Sequence, residues 1–376
     1  MNKSGIYLHI PFCKTKCIYC DFYSVTKRDD SIDKFVDCMV KEIKLNKGRL
    51  NNTTYDTIFF GGGTPSVLSE NQLDKILNAL FNHYDIDQNI EITLECNPGE
   101  ISFEKLSNFR KIGINRLSIG FQSFNDKYLK FLGRLHSSEQ SISTFNNARK
   151  AGFDNINIDL IYDIPKQKLK EWKNDLFLGV SLEPEHISAY SLTVEQNTAL
   201  HSMVKNKTVI MPSEEVDKKM FLNTISYLEQ KNYIHYEISN FSKKDKECKH
   251  NLHYWRLEPY LAFGPGAHGF DGKKRWWNKK SIDHYIEKLN KNILPIEFEE
   301  ILSKKDCFNE NIMNGLRLIE GTKLQKLENL LDQNLEKYLY PHIKKWPYIS
   351  NNGENIYLNK KGLLFADEII ADLFLI

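Results

Sequence analysis

The chain has 376 residues, of which 41% are hydrophobic and 27% charged; this balance belongs to a folded globular protein and excludes a disordered, collagenous or coiled-coil chain. Lysine and arginine total 51 against 49 aspartates and glutamates, so the net charge of +2 gives no reason to expect a nucleic-acid or membrane-surface partner. Met1 to Ile10 has no signal-peptide stretch. No run approaches the roughly 18–20 apolar residues of a membrane span, so the expected location is the cytoplasm.

In chain order, apolar runs at Ile6–Ile10, Thr57–Phe60, Ile90–Glu95, Arg116–Phe121, Ile156–Ile161 and His186–Leu192 predict strands. They are mostly not alternating, as expected of strands covered on both faces. Helical patterns fall between and after them, at Ser31–Leu45, Ser69–Tyr84, Phe103–Lys111, Ser138–Ala151, Leu169–Leu182 and Ser213–Gln230. Ser69 followed by Gln72 reads as a capping box. Six strands, each followed by a helical segment, predict right-handed βα units on a parallel sheet. Eight close a barrel, so the expected fold is α/β, a partial (β/α)6 barrel.

The stretch Tyr233–Asn278 is different: it holds His235, His250, His253 and His268, with Trp255, Trp276 and Trp277. Phe263-Gly264-Pro265-Gly266-Ala267-His268-Gly269 predicts a tight, irregular turn. From Ser303 the order is helix, helix, an Asn352-Gly353 hairpin turn, a short strand and a last helix, which is similar to a small winged-helix module. Lys304–Ile376 carries ten basic and ten acidic residues, so this helical end lacks the basic face of a DNA binder. The expected units are 1–230 (partial barrel), 231–300 (the histidine-rich connecting region packed on it) and 301–376 (the C-terminal module).

Three of the seven cysteines, Cys13, Cys17 and Cys20, lie within eight residues in a C-x3-C-x2-C pattern. Thiolates hold zinc or iron–sulfur clusters. Structural zinc usually takes four ligands as two pairs, and no second pair follows; a zinc site would have to be completed by His9 or a distant residue. Three thiolates suit three irons of a [4Fe–4S] cluster and leave the fourth iron open.

With Tyr19 before the last cysteine, the spacing resembles the signature of radical S-adenosylmethionine (SAM) enzymes. The resemblance extends to Tyr7-Leu8-His9-Ile10-Pro11-Phe12-Cys13, Phe59-Phe60-Gly61-Gly62-Gly63-Thr64-Pro65, Glu95-Cys96-Asn97-Pro98-Gly99, Asn115 to Phe124 and Asn157 to Tyr162. That series, over about residues 5 to 280, is similar to the oxygen-independent coproporphyrinogen III oxidase group. It implies a [4Fe–4S] cluster on Cys13, Cys17 and Cys20, with SAM held by Tyr7, Tyr19, Gly62, Gly63, Thr64, Glu95, Gln122, Arg134, Asp159 and Thr193. A glycine triplet lets backbone approach a ligand, a carboxylate accepts ribose hydroxyls, and an arginine pairs with a carboxylate.

The oxidase pattern continues past the third cysteine with a fourth, where this chain has Phe22 in Cys20-Asp21-Phe22. The oxidases' longer N-terminal extension is also missing. Both departures resemble instead the related HemW group of haem chaperones, as does His250-Asn251-Leu252-His253-Tyr254-Trp255. That resemblance implies haem as cargo and acceptor haemoproteins, such as respiratory cytochromes, as partners. It further implies an electron donor such as flavodoxin or ferredoxin, and it leaves open a homodimer and peripheral membrane contact through the acceptors. A haem iron takes imidazole or thiolate. His250 is the first candidate ligand, then His253 and Cys248; the alternative is that the two histidines are structural, hydrogen-bonded groups. Trp276 and Trp277 are expected to supply packing area.

Overall fold

β1 (Asn2–Ile10), β2 (Thr53–Gly62), β3 (Ile86–Cys96), β4 (Arg116–Gln122), β5 (Ile156–Tyr162) and β6 (His186–Ser191) lie side by side in that order, all parallel. The computed structural model describes residues 2–50 and 52–376. Every residue of β4 is buried, as the continuous apolar pattern requires of a central strand. Helices between the strands cover the outer face of the sheet. The helix Glu70–His83 buries Leu73, Ile76, Leu77 and Leu80, and its Ser69–Gln72 capping box is formed. β2 and β3 begin a few residues before their apolar runs, because backbone pairing continues where side chains reach solvent.

Residues 231–300 add six short strands to the same sheet. β7 (Ile234–Glu237) and β8 (Asn240–Ser242) extend it beyond β6. β9 (Tyr260–Phe263) runs parallel to β1, and β10 (His268–Phe270), β11 (Lys274–Asn278) and β12 (Ile296–Ile301) follow as an antiparallel series to the other edge. The result is a 12-stranded sheet with the parallel half-barrel at its centre. The helix Lys249–Trp255 connects the two extensions.

The C-terminal region has helices Lys304–Gly315, Leu324–Glu328 and Leu335–Lys345, then the three-stranded sheet of β13 (Thr322–Lys323), β14 (Ile349–Asn351) and β15 (Asn355–Leu358), and the last helix Ala366–Asp372. Gly353 turns the β14–β15 hairpin at φ +90°, as the Asn-Gly pair requires. Its apolar residues Phe308, Ile312, Leu339, Ile356 and Ile369 join the same buried core as the barrel. No helix among the described residues is long and apolar enough to cross a membrane.

Candidate functional site

The strands end at one rim, and the loops leaving β1 to β4 are bound to one another there. Cys13, Cys17 and Cys20 lie on the loop after β1, all unpaired and half-buried. Thr64, after β2, donates its hydroxyl to Cys13 Sγ at 3.6 Å. Asn97, after β3, donates its amide to Thr64 Oγ1 at 3.0 Å. Arg134, beyond β4, donates to Asn97 Oδ1 at 2.6 Å, to the Gly120 carbonyl at 3.0 Å and to Cys17 Sγ at 3.6 Å. The chain of bonds therefore starts on one cysteine sulfur and ends on another, with Asn97 at its centre.

Burial pushes the Cys13 thiol up, and burial likewise takes Cys20 to about 11. Both keep their protons until a metal displaces them. Among the described residues, no three His, Cys, Asp or Glu side chains converge on one ion position. Three thiolates on a multi-iron cube need not converge, since each binds a different iron. N–H and O–H donors aimed at the sulfurs, as Thr64 and Arg134 are, tune such a cluster.

Glycine is obligatory in the loop after β2. A Cβ on Gly63 would lie 2.7 Å from the Phe12 carbonyl and 2.9 Å from Cys13 Sγ. Gly62 has φ +110°, and a Cβ there would meet the His9 ring at 2.6 Å. The Gly62 N–H donates to Glu95 Oε2 at 3.2 Å. Tyr7 hydrogen-bonds His9 Nδ1 at 3.0 Å, and His9 Nε2 donates to the Tyr23 carbonyl at 2.8 Å. The second bond fixes the tautomer, so the Tyr7 phenol is the donor in the first. Burial holds the His9 imidazole neutral, at about 4.

Glu95 and Asp159 face one another across the barrel interior. Burial, and then the Asp159 charge, raise the Glu95 carboxyl to about 8. Burial raises Asp159 too, against hydrogen bonds from Asn157 at 2.8 Å and Ser118 at 3.2 Å. Gln122 ends β4 at φ +64°, a strained conformation for a residue with a side chain. Tyr19 packs on a small apolar cluster of Tyr128, Leu132, Ile161, Ile164, Leu192 and Leu200 that seats the cysteine loop. Thr193 is exposed, past the end of β6. Two half-buried carboxyls whose raised pKa the buried Arg116 offsets only in part, a glycine cradle and an arginine at the cysteine loop form a donor and acceptor set that fits a cationic sulfonium with hydroxyl and amino-acid groups.

His250, His253 and Cys248 lie on the helix Lys249–Trp255 and its N-cap, against β1 to β3, where the His250 ring stacks on Tyr7 at 6.3 Å. His250 is buried; its Nδ1 meets Thr57 Oγ1 at 2.8 Å, its Nε2 meets the Tyr254 hydroxyl at 2.8 Å, and its ring stacks on Phe59 at 5.2 Å. His253 lies between Asp56, at 2.7 Å, and Glu258, which hold it protonated up to about 9 against its burial. The Cys248 thiol, raised to about 12 by burial, donates to Glu91. In this conformation none of the three presents a free lone pair to an iron. Asn97, which links the two cysteine-bound donors, was legible only as part of a motif; nothing in the sequence marked its role. The Trp276 ring is buried under Arg49, while Trp277 is half-exposed on the opposite face of β11.

The partial barrel and its three-cysteine loop define a radical SAM protein, and the family model described as the Radical SAM superfamily matches residues 7–178. The heme chaperone HemW of Bacillus subtilis (strain 168) is 33% identical over 370 residues, 97% of this chain and 97% of its own. The heme chaperone HemW of Lactococcus lactis subsp. lactis (strain IL1403) is 34% identical over 383 residues, covering 100% of this chain and 98% of its own. The chain belongs to the HemW family. Among solved structures, the coproporphyrinogen III oxidase HemN of Escherichia coli has the same fold, with a TM-score of 0.84 at 23% identity over 99% of this chain and 90% of that one.

Proposed function

We propose that this chain is a haem chaperone that binds haem and delivers it to acceptor haemoproteins such as respiratory cytochromes. The reading rests on one observation above the others: relatives named heme chaperones align with it over almost its whole length. Cys13, Cys17 and Cys20 would hold a [4Fe–4S] cluster, and Tyr7, Tyr19, Gly62, Gly63, Thr64, Glu95, Gln122, Arg134, Asp159 and Thr193 would hold SAM. When bound, that pair supplies one-electron chemistry from an open iron to a sulfonium. The chain's own part is positional. Arg134 and Thr64 donate to cysteine sulfurs. Gly62 and Gly63 open backbone to the ligand. Glu95 accepts hydrogen bonds, and a cation arriving beside it and Asp159 draws off their raised protons. An electron donor of the flavodoxin or ferredoxin type would dock at this rim. Residues 301–376 would act as a lid or scaffold element.

The second reading, decarboxylation of coproporphyrinogen III, draws on the shared fold with HemN, and Phe22 at the position of the oxidases' further cysteine speaks against it. His250 would act as a haem ligand only by exchanging Thr57 and Tyr254 for iron, with the helix opening. The test incubates anaerobically reconstituted protein, in one arm with haem and an apo-cytochrome, in the other with coproporphyrinogen III, SAM and a reductant. Haem transfer without decarboxylated product supports the chaperone. Decarboxylated product, or no haem bound or transferred, refutes it.

A further inference from the structure

The imidazole of His268 is placed as that of no other histidine singled out in the sequence. It is exposed, and neither ring nitrogen has a hydrogen-bond partner among the described residues. His9, His250 and His253 have both ring nitrogens occupied, and His235 bonds the Ile238 carbonyl. His268 starts β10, directly after the Gly264–Gly266 turn. Three antiparallel strands then carry an aromatic row outward on one face: His268 pairs with Trp277, and Trp277 pairs with Phe298. The His268 and Trp277 rings stack at 5.4 Å and 22°, and Trp277 and Phe298 lie 4.8 Å apart. Phe298 is 50% exposed, on the edge strand β12. Trp276, one residue from Trp277, points to the other face and is buried, so the row is set by strand alternation and not by chance exposure.

The row continues inward. In the register set by Phe270 and Tyr260, His268 falls beside Ala262, and Ala262 pairs with Tyr7 on β1. Ala262 is itself buried, so the exposed part of the row ends at His268. Lys280 crosses the turn, its Cγ 3.1 Å from where a Gly266 Cβ would be; its charge acts on both His268 and His9, and it has no carboxylate partner among the described residues. The nearby Arg275 is paired with Glu310 at 2.9 Å.

A free imidazole, two adjoining apolar rings and one unpaired ammonium match a planar, apolar metal complex that carries carboxylates. We propose that haem docks on this shelf, with His268 ligating its iron, Trp277 and Phe298 against its apolar surface, and Lys280 pairing with a propionate. The assignment rests on the haem-cargo reading and names its site. Partial desolvation of the ring, and then the positive charges of Lys280 and Arg275, lower the His268 pKa, so the lone pair is available at neutral pH.

The experiment is an anaerobic haem titration of the full chain, followed by Soret absorbance and iron spin state, for the wild type, H268A, W277A, K280A and H250A. The expected result is that H268A weakens binding by about tenfold or more and changes the spin state, and that added imidazole restores the wild-type spectrum. W277A and K280A weaken binding without changing the axial ligand, and H250A keeps the wild-type spectrum. Wild-type binding that is unchanged in H268A overturns the shelf while leaving the chaperone reading standing. Failure of the wild type to bind haem overturns both.

Discussion

His253 is an imidazolium buried between Asp56 and Glu258, and replacing it by glutamine keeps a polar side chain while removing the charge. Its pKa rises from 6.5 to about 9, the two carboxylates outweighing burial. At about 1.4 kcal/mol per unit this is about 3 kcal/mol, and the 40% exposure of Glu258 reduces it to about 2 kcal/mol. The lowered pKa of Asp56 is the same interaction seen from the other partner and is not added. Because the folded pKa is raised, this stability is fully present below about pH 6.5 and is lost as pH rises through about 9. Urea unfolding of wild type and H253Q, followed by tryptophan fluorescence at about pH 6 and about pH 10, reads the difference between them. The wild-type advantage should shrink by about 2 kcal/mol between the two conditions. An advantage that does not change with pH refutes a charged His253. The same bond pair anchors the helix that packs His250 against Tyr7, ring centroids 6.3 Å apart.

Other substitutions test the rim. G63A places a methyl 2.7 Å from the Phe12 carbonyl and 3.0 Å from the Ile10 carbonyl, both backbone atoms, and 2.9 Å from Cys13 Sγ. Reconstituted G63A should retain well under half of the wild-type iron, read by metal analysis. R134K keeps the charge but not the fork that reaches both Asn97 and Cys17. Its SAM affinity should fall by about tenfold, as expected for about 1.4 kcal/mol of lost bidentate bonding, read by equilibrium dialysis. L94A truncates a fully buried β3 side chain and should lower unfolding stability by about 3 kcal/mol, read by urea denaturation.

The central half-barrel was legible because its strands are buried on both faces: each of Arg116–Phe121 and Ile156–Ile161 falls inside the observed strand. The strands of residues 231–300 were not. β8 and β10 have three residues each, and β9 to β11 are interrupted by the glycines that turn the chain, so no periodicity accumulates. The cysteine loop and glycine cradle could be read because they are contiguous in sequence. The link from Thr64 through Asn97 to Arg134 joins residues 33 and 37 positions apart and exists only once three strands lie side by side. The histidines show the same divide. Their types suggested metal ligands, but partners distant in sequence, Thr57 for His250 and Asp56 for His253, decide whether a lone pair is free. His268 stood out only as one of four histidines in its stretch and not as a ligand, because its ring neighbours Trp277 and, beyond it, Phe298 come from other strands.

The central claim is that three thiolates and no fourth side chain hold the iron cube, leaving one iron for a small molecule. Iron and sulfide analysis of the anaerobic protein, with electron paramagnetic resonance of the reduced form before and after SAM, tests it most directly. The account predicts iron and sulfide in equal amounts, a signal that changes when SAM is added, and loss of both in C17S. One zinc per chain, or a reduced cluster whose signal ignores SAM, would contradict it.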